Sequence, residues 1–357
     1  LEGSLYGNPF TQSSTRGNPD LKEERKTEIE FGFDVRMFDN KVTLGVTYYD
    51  NETSGVILAL PTTPSSGFSS SLQNAATVTN KGLEIDFKVD VLRGEDLNIN
   101  LSGSFTQNKN IVTDLAGSSY FILNGFTSTS SGIAEGYPFG VLRSGVYERD
   151  AAGNYVTNAN GFPNAAAEKK IGVGDPNPDY RAGLGLNVDY KNISLSAMFE
   201  TSQGNDVWNG TYGVLNYMGT HADTGALTVN NTGGQIVNAD GQPVENGESF
   251  RGYIEDFGAG PVAVDSDWWT TNGGGFGDVG EPFIMDASWI KLREITLTYK
   301  FAPALIESLR ISTMNLSVSG RNLYTWSDIK EFDPENNLTG ASRGRGLEYF
   351  SNPGTRS

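Results

Sequence analysis

Apolar and polar residues alternate with a period of two along much of this chain, the spacing that places one set of side chains on each face of a β-strand. Ile29, Phe31, Phe33 and Val35 alternate with Glu28, Glu30, Gly32 and Asp34. After Asp39-Asn40 the pattern resumes as Val42, Leu44, Val46 and Tyr48 against Thr43, Gly45 and Thr47, which predicts a hairpin with a short turn. In the next pair, Leu83, Ile85, Phe87 and Val89 oppose Glu84, Asp86, Lys88 and Asp90, and the turn Arg93-Gly94-Glu95-Asp96 leads into Leu97, Ile99, Leu101 and Phe105. A third hairpin runs through Leu184 to Tyr190, turns at Lys191-Asn192 and returns through Ile193, Leu195, Ala197 and Phe199. In the fourth, Ile290 and Leu292 change phase to Ile295, Leu297, Tyr299 and Phe301, which predicts a bulge near Arg293-Glu294. Pro303 to Leu309 reads as a helical turn before Met314, Leu316 and Val318 begin the return strand.

About eight strands result, joined alternately by very short turns and by long, polar, Gly-rich connections at 51–76, 113–179 and 206–286 and from Ser327 onward. A soluble β-sandwich also alternates, but short loops at one end and long loops at the other belong to outer-membrane barrels. Carboxylates on the polar parity, Glu28-Glu30-Asp34 and Glu84-Asp86-Asp90, suit a water-filled lumen, so Ile29, Phe31, Phe33, Leu83, Ile85 and Phe87 are expected to face lipid. The expected fold class is all-β: an antiparallel transmembrane β-barrel segment with short periplasmic turns and long extracellular loops.

Composition removes competing chemistry. With 26 basic and 43 acidic residues the formal charge is −17, so nucleic acid is repelled. There is no Cys, and His221 is the single His, which leaves no thiolate, no disulfide and few parts for zinc or a catalytic triad. The longest apolar run, Val56-Ile57-Leu58-Ala59-Leu60, is far below the roughly 18 residues of a membrane-spanning helix. The chain opens at Leu1 with no initiator Met or leader, and is expected to be a fragment or a processed product.

Four motifs are weighed and set aside. Gly340-Ala341-Ser342-Arg343-Gly344 fits a nucleophile elbow but lacks the flanking strand, the helix and a later His. Thr271 to Asp278 is Gly-rich but has no following Lys-Ser/Thr, so a flexible loop accounts for it better than a phosphate loop. Asp175, Asn177 and Asp179, and more loosely Asp333, Glu335 and Asn336, alternate like calcium ligands, yet Asx-Pro turn chemistry explains both clusters.

Particular segments are identified with a family. Gly17-Asn18-Pro19-Asp20-Leu21-Lys22-Glu23-Glu24, Gln73-Asn74-Ala75 through Asn80-Lys81-Gly82-Leu83-Glu84, and Glu135-Gly136-Tyr137-Pro138-Phe139-Gly140 resemble segments of SusC-like (RagA-like) TonB-dependent transporters. So do Gly174-Asp175-Pro176-Asn177-Pro178-Asp179-Tyr180 and Ser288-Trp289-Ile290-Lys291-Leu292-Arg293-Glu294 on through Tyr299, with Ser319-Gly320-Arg321-Asn322-Leu323 after it. The resemblance implies that residues 1–357 are the C-terminal part of a plugged barrel of about 22 strands, without its plug, its N-terminal strands and one last strand after Ser357. It implies import of large nutrients, oligosaccharide or peptide, across the outer membrane of a Gram-negative bacterium, and no enzymatic activity or cofactor. Implied partners are a SusD-like surface lipoprotein, TonB acting through the absent plug, the remaining strands of the barrel and the lipid bilayer. A passive porin-like or structural barrel is the competing function.

Aromatic residues supply the binding candidates. Tyr137, Phe139, Trp208, Trp268 and Trp269 lie on the long connections, where exposed rings would stack on sugar or anchor a partner. Tyr48, Tyr49, Trp289 and Tyr324 are expected instead in the interfacial aromatic girdle of a barrel.

Overall fold

A computed structural model describes residues 13–126, 128–228, 236–270, 279–307, 310–338 and 344–351. Its framework is an antiparallel meander of eight long strands, each hydrogen-bonded to its sequence neighbour in this set. They are β1 (Arg25–Met37), β2 (Val42–Pro61), β3 (Ser70–Arg93), β4 (Leu97–Asp114), β5 (Tyr180–Tyr190), β6 (Ile193–Gln203), β7 (Trp289–Lys300) and β8 (Asn315–Ser327). The short segment Thr15–Arg16 adds a parallel pairing to β3. Among the described residues β1 and β8 do not pair with each other, so both outer edges of the sheet are open.

Turn chemistry fixes one end. Phe38, Asp39 and Asn40 all have positive φ, and Lys191 (φ 51°) turns β5 into β6, so two tight hairpins form as the sequence pattern predicts. Pro303–Ile306 forms the expected helical turn before β8. The predicted bulge is present: Glu294 pairs with Met198 but Leu292 with Phe199, which leaves Arg293 as the extra residue.

Register keeps the two faces separate across the whole sheet. One continuous row is Val35, Leu44, Phe87, Gly103, Leu184, Phe199, Leu292 and Tyr324; the next is Asp34, Gly45, Asp86, Ser104, Gly183, Glu200, Lys291 and Thr325. A one-residue slip anywhere would exchange the faces, so each hairpin is held to its register by this contrast. The apolar face lacks a covering layer: Phe31 is 70 % and Val318 69 % exposed.

Two expectations about loops are corrected. Residues 51–76 do not form a long connection; β2 has 20 residues and β3 has 24, and only residues 62–69 join them. The Val56–Leu60 run is part of β2, and Asn74 ties the hairpin to the preceding chain by accepting from Lys22 N (2.9 Å) and donating to Lys22 O (2.8 Å) and Gly55 O (2.7 Å). The segments 113–179 and 206–286 are folded rather than merely long. The first holds a four-stranded sheet that begins at Phe121–Gly125, and the second a five-stranded sheet and a helix, α1 (Gly210–Tyr217), capped by the Asn209 side chain.

These segments share a core at the end of the wall opposite the tight turns. Trp208, Trp268, Phe162, Phe283, Leu142 and Leu347 are fully buried in it. The Phe162 and Trp268 rings meet at a tilt of 32° with centroids 4.6 Å apart, and Trp269 meets Phe283 at 5.2 Å.

Candidate functional site

The polar face of the wall is concave. Asp34, Thr47, Glu84, Asp86, Ser102, Asn187, Ser196 and Glu294, from seven consecutive strands, line a single trough of about 720 Å³. A second cavity of about 630 Å³ is lined by Glu28, Glu30, Glu84, Tyr49, Asn80 and Asn108 among others. The expectation that the carboxylates share one face therefore holds for Glu28, Glu30, Asp34, Glu84 and Asp86. Asp90 follows by register, since it pairs with Asn100 and through it with Asn187 of the trough.

Above the trough the first strands carry a ladder of amides. Asn51 donates to Glu28 (2.9 Å), Asn80 to Asn51 (3.1 Å) and Asn108 to Asn80 (3.4 Å), while the Tyr49 hydroxyl donates to Asn108 (3.2 Å). Tyr49 is thus an inward residue, not a girdle residue. The same correction applies to Trp289, which pairs with Ser202 on the inward parity and is 6 % exposed. Tyr48 and Tyr324 stay on the outer face and are exposed.

The ladder ends where the resembling segments meet. Phe139 N donates to Asn110 Oδ1 (2.6 Å), Asn177 Nδ2 donates to Phe139 O (3.0 Å), and Arg345 Nη1 donates to Asn177 Oδ1 (2.7 Å). Together these residues, with Asn80, Asn108 and Ser131, line a third cavity of about 440 Å³. Phe139 is half-buried beside it and Tyr137 is exposed, its ring packed over Gly172. The three tryptophans lie elsewhere: Trp208, Trp268 and Trp269 are 0 %, 1 % and 4 % exposed, so the expectation of exposed stacking faces is corrected. They are the largest apolar side chains in otherwise polar segments, and burying them gives those segments a core.

A second polar cluster anchors the chain after β8. Lys291 Nζ, with its side chain 4 % exposed, lies 2.5 Å from both Asp333 and Glu335. Arg293, turned inward by the bulge, bonds Glu200 (2.5 Å) and Glu335 (2.5 Å). Both cations lie near the Trp289 ring, at 5.2 Å and 5.0 Å. Asp333 and Glu335 are therefore occupied by cations rather than poised as calcium ligands. Asp175 accepts from the Asn177 backbone and side chain, the Asx-turn geometry that the Pro-flanked sequence suggests. Residues 340–343 of the elbow-like motif and 271–278 of the Gly-rich stretch lie outside the described residues.

Sequence reasoning missed Asn110, Arg345, Lys291 and Arg293. The last two are legible in retrospect, because alternation puts Lys291 on the polar parity and the change of phase at Arg293 puts Arg293 there beside Glu294.

Comparison with known proteins agrees with this architecture. The TonB-dependent receptor P3 of Formosa agariphila is 25 % identical over 369 residues, 95 % of this chain and 34 % of its own length. The TonB-dependent receptor SusC of Bacteroides thetaiotaomicron is 24 % identical over 339 residues, 89 % of this chain and 30 % of its own. The chain thus spans about a third of the length of the curated relatives it matches. Among solved structures the RagAB peptide transporter superposes with a TM-score of 0.67 at 22 % identity, over 98 % of this chain and 37 % of that one. The resemblance to SusC-like and RagA-like barrels read from the motifs is matched by all three. The sequence model for the β-barrel of TonB dependent receptor-like proteins matches residues 2–323, and the chain belongs to that family.

Proposed function

We propose that this chain forms part of the wall and extracellular loop mass of an outer-membrane, TonB-dependent importer of large nutrients, glycans or peptides, in a Gram-negative bacterium. The observation that carries the reading is the division of the eight-stranded meander into one apolar and one polar face, with rows of paired residues that run across all eight strands. An uncovered apolar face of this kind suits hydrocarbon, and a concave polar face suits a hydrated lumen. A bilayer needs only about 9–11 residues of tilted strand, so β2 and β3 rise well above it, and Val56, Leu58, Ala76 and Val78 in their far halves pack with Leu115, Phe121 and Ile133 of the first loop segment. The open edges at β1 and β8 are closed by other strands of the same barrel, because unpaired backbone in lipid costs several kcal/mol per group.

Energy comes from TonB through a plug, and a SusD-like lipoprotein caps the loop mass. Tyr217 and Met218 at the end of α1, with Met218 65 % exposed, and Ile254 are apolar groups that such a lid would cover. The reading is of a transport function and not an enzymatic one.

The full-length receptor expressed in a Gram-negative host should fractionate with the outer membrane and migrate faster in gels before boiling than after. It should take up labelled oligosaccharide or oligopeptide only in cells that have TonB. A protein recovered in the periplasm, or uptake indifferent to TonB, would refute the proposal. Deleting residues 225–260 or changing Met218 to Glu should weaken capture of the lid lipoprotein while gel migration is unchanged.

A further inference from the structure

The cavity beside Phe139 carries hydrogen-bond donors that meet no acceptor among the described residues. Asn110 lines the cavity and is 8 % exposed; its Oδ1 accepts from Phe139 N, and its amide nitrogen has no partner among the described residues. Arg345 spends one N–H on Asn177 Oδ1, and its remaining N–H groups meet no acceptor among the described residues. It is half-buried and forms no ion pair there. The nearest charges make the imbalance sharper. Burial first, and then the positive charge of Arg181, hold the Arg345 guanidinium below its usual value, and Asp175 opposes them only at a distance.

A half-buried guanidinium and an amide N–H that line one cavity, with no anion among the described residues lining it, offer convergent donors to a ligand. A ligand that brings two acceptor oxygens on one plane fits these donors, because guanidinium and carboxylate match as parallel forks. The neighbouring cavity sets a second requirement. It shares Asn80 and Asn108 with this one but is lined by Glu28, Glu30 and Glu84. Lys26 neutralises Glu28, whereas Glu30 and Glu84 have no cation within ion-pair distance among the described residues. A ligand with carboxylates along its whole length is repelled there; one that ends in a single carboxylate is not.

We propose that Arg345 and Asn110 form a subsite for a terminal carboxylate of the imported ligand, with Asn177 as the positioning residue that orients the guanidinium. This rests on the import reading above. The carboxylate has two sources, the C-terminus of an oligopeptide or a single uronic acid at the end of an oligosaccharide, and the Phe139 ring beside the site packs against the residue that bears it.

The test uses the full-length receptor in detergent and calorimetric titration with four probes: tetra-alanine, its C-terminal amide, maltotetraose, and an oligosaccharide with one terminal glucuronate. At least one carboxylate probe should bind ten-fold or more tightly than its neutral counterpart. Arg345→Gln should reduce that ratio to near one without moving the unfolding midpoint. Binding that favours tetra-alanine assigns the site to peptides, and binding that favours the glucuronate assigns it to glycans. Equal affinity for charged and neutral probes, no binding of either carboxylate probe, or a ratio that survives Arg345→Gln overturns the subsite. Outer-membrane fractionation and TonB-dependent uptake, measured on the same variant, separate that failure from failure of the import reading.

Discussion

The phenol ring of Tyr49 occupies the space that a side chain at Gly82 would need. The two residues pair across β2 and β3 on the inward face, and a Cβ built on Gly82 would overlap the ring. With Gly82 bare, Tyr49 lies along the wall and reaches Asn108 with its hydroxyl, which joins the aromatic ring to the amide ladder. This gives the Asn80-Lys81-Gly82 segment a physical reason, since its Asn builds the ladder and its Gly admits the ring. Gly82→Ala should destabilise the receptor by about 1–3 kcal/mol, the usual penalty of overpacking. In the Tyr49→Ala background the same change should cost almost nothing. A double-mutant cycle in denaturant, read by gel migration, measures the coupling, and additive penalties would refute the contact.

Much of the wall was legible from period two alone, because parity assigns a face without any knowledge of the partner strand. The bulge at Arg293 was legible for the same reason, as a break in that parity. Tyr49 and Trp289 were misplaced by attending to residue type at strand ends. Parity itself opposes Tyr49 to Tyr48 and Trp289 to Ile290, and it was the better guide. The loop core was not legible. Phe162, Trp208, Trp268 and Leu347 come together from segments with no period, over separations that local pattern does not encode. Lys291 likewise finds Asp333 across 42 residues of chain.

The two faces of β1 should respond oppositely to substitution. Phe31→Arg places charge on the apolar face and should cost about 2–4 kcal/mol if it lies near the bilayer centre. Glu30→Gln changes a solvated residue of the polar face and should leave folding unchanged. Urea titration of receptor folding into lipid vesicles distinguishes them; equal effects would mean that the faces are assigned wrongly.

Trp268→Ala removes a fully buried ring that contacts Phe162 and Tyr147. Such truncations cost about 3–5 kcal/mol. The loss should fall on the loop mass and spare the wall, because the wall keeps its own ladder of strand pairings. Limited proteolysis should therefore cut within 113–179 and 206–286, while the gel shift of the folded barrel persists. Loss of that shift would show that wall and loops fold as one unit.

Lys291→Met should release the segment after β8 from the wall. Removing one partner of a buried ion pair costs about 3–5 kcal/mol. Asp333 and Glu335 are 24 % and 35 % exposed and can regain water, so the lower end is expected. Protease sensitivity near Asp328–Leu338 reports the release, and unchanged cleavage there would remove Lys291 from its anchoring role.

Two carboxyls in the connections should give pH dependences of opposite sign. Burial alone would raise Glu335, but hydrogen bonds and charge from Arg293 and Lys291 override it and hold the group below its usual 4.5. Its contribution to stability is present above that unfolded value and is lost as pH falls through the lower folded one. Asp206 is raised above its usual 3.8 by burial, and the nearby carboxylates of Asp286, Asp175 and Asp179 add to the effect against the bond from Asp175 N. Any stability it contributes is present below 3.8 and is lost as pH rises through the folded value, so at neutral pH its charge is a burden. Asp206→Asn keeps an oxygen to accept from Asp175 N, which lies 2.9 Å away in the native site. It should therefore match or exceed the parent's unfolding midpoint at pH 7 and lose the advantage at pH 4. Glu335→Gln should be less stable than the parent at pH 7 and approach it as the medium is acidified. Midpoints measured for both variants between pH 3 and pH 7 decide the matter, and two curves that move in the same direction would show that one carboxyl has been given the wrong environment.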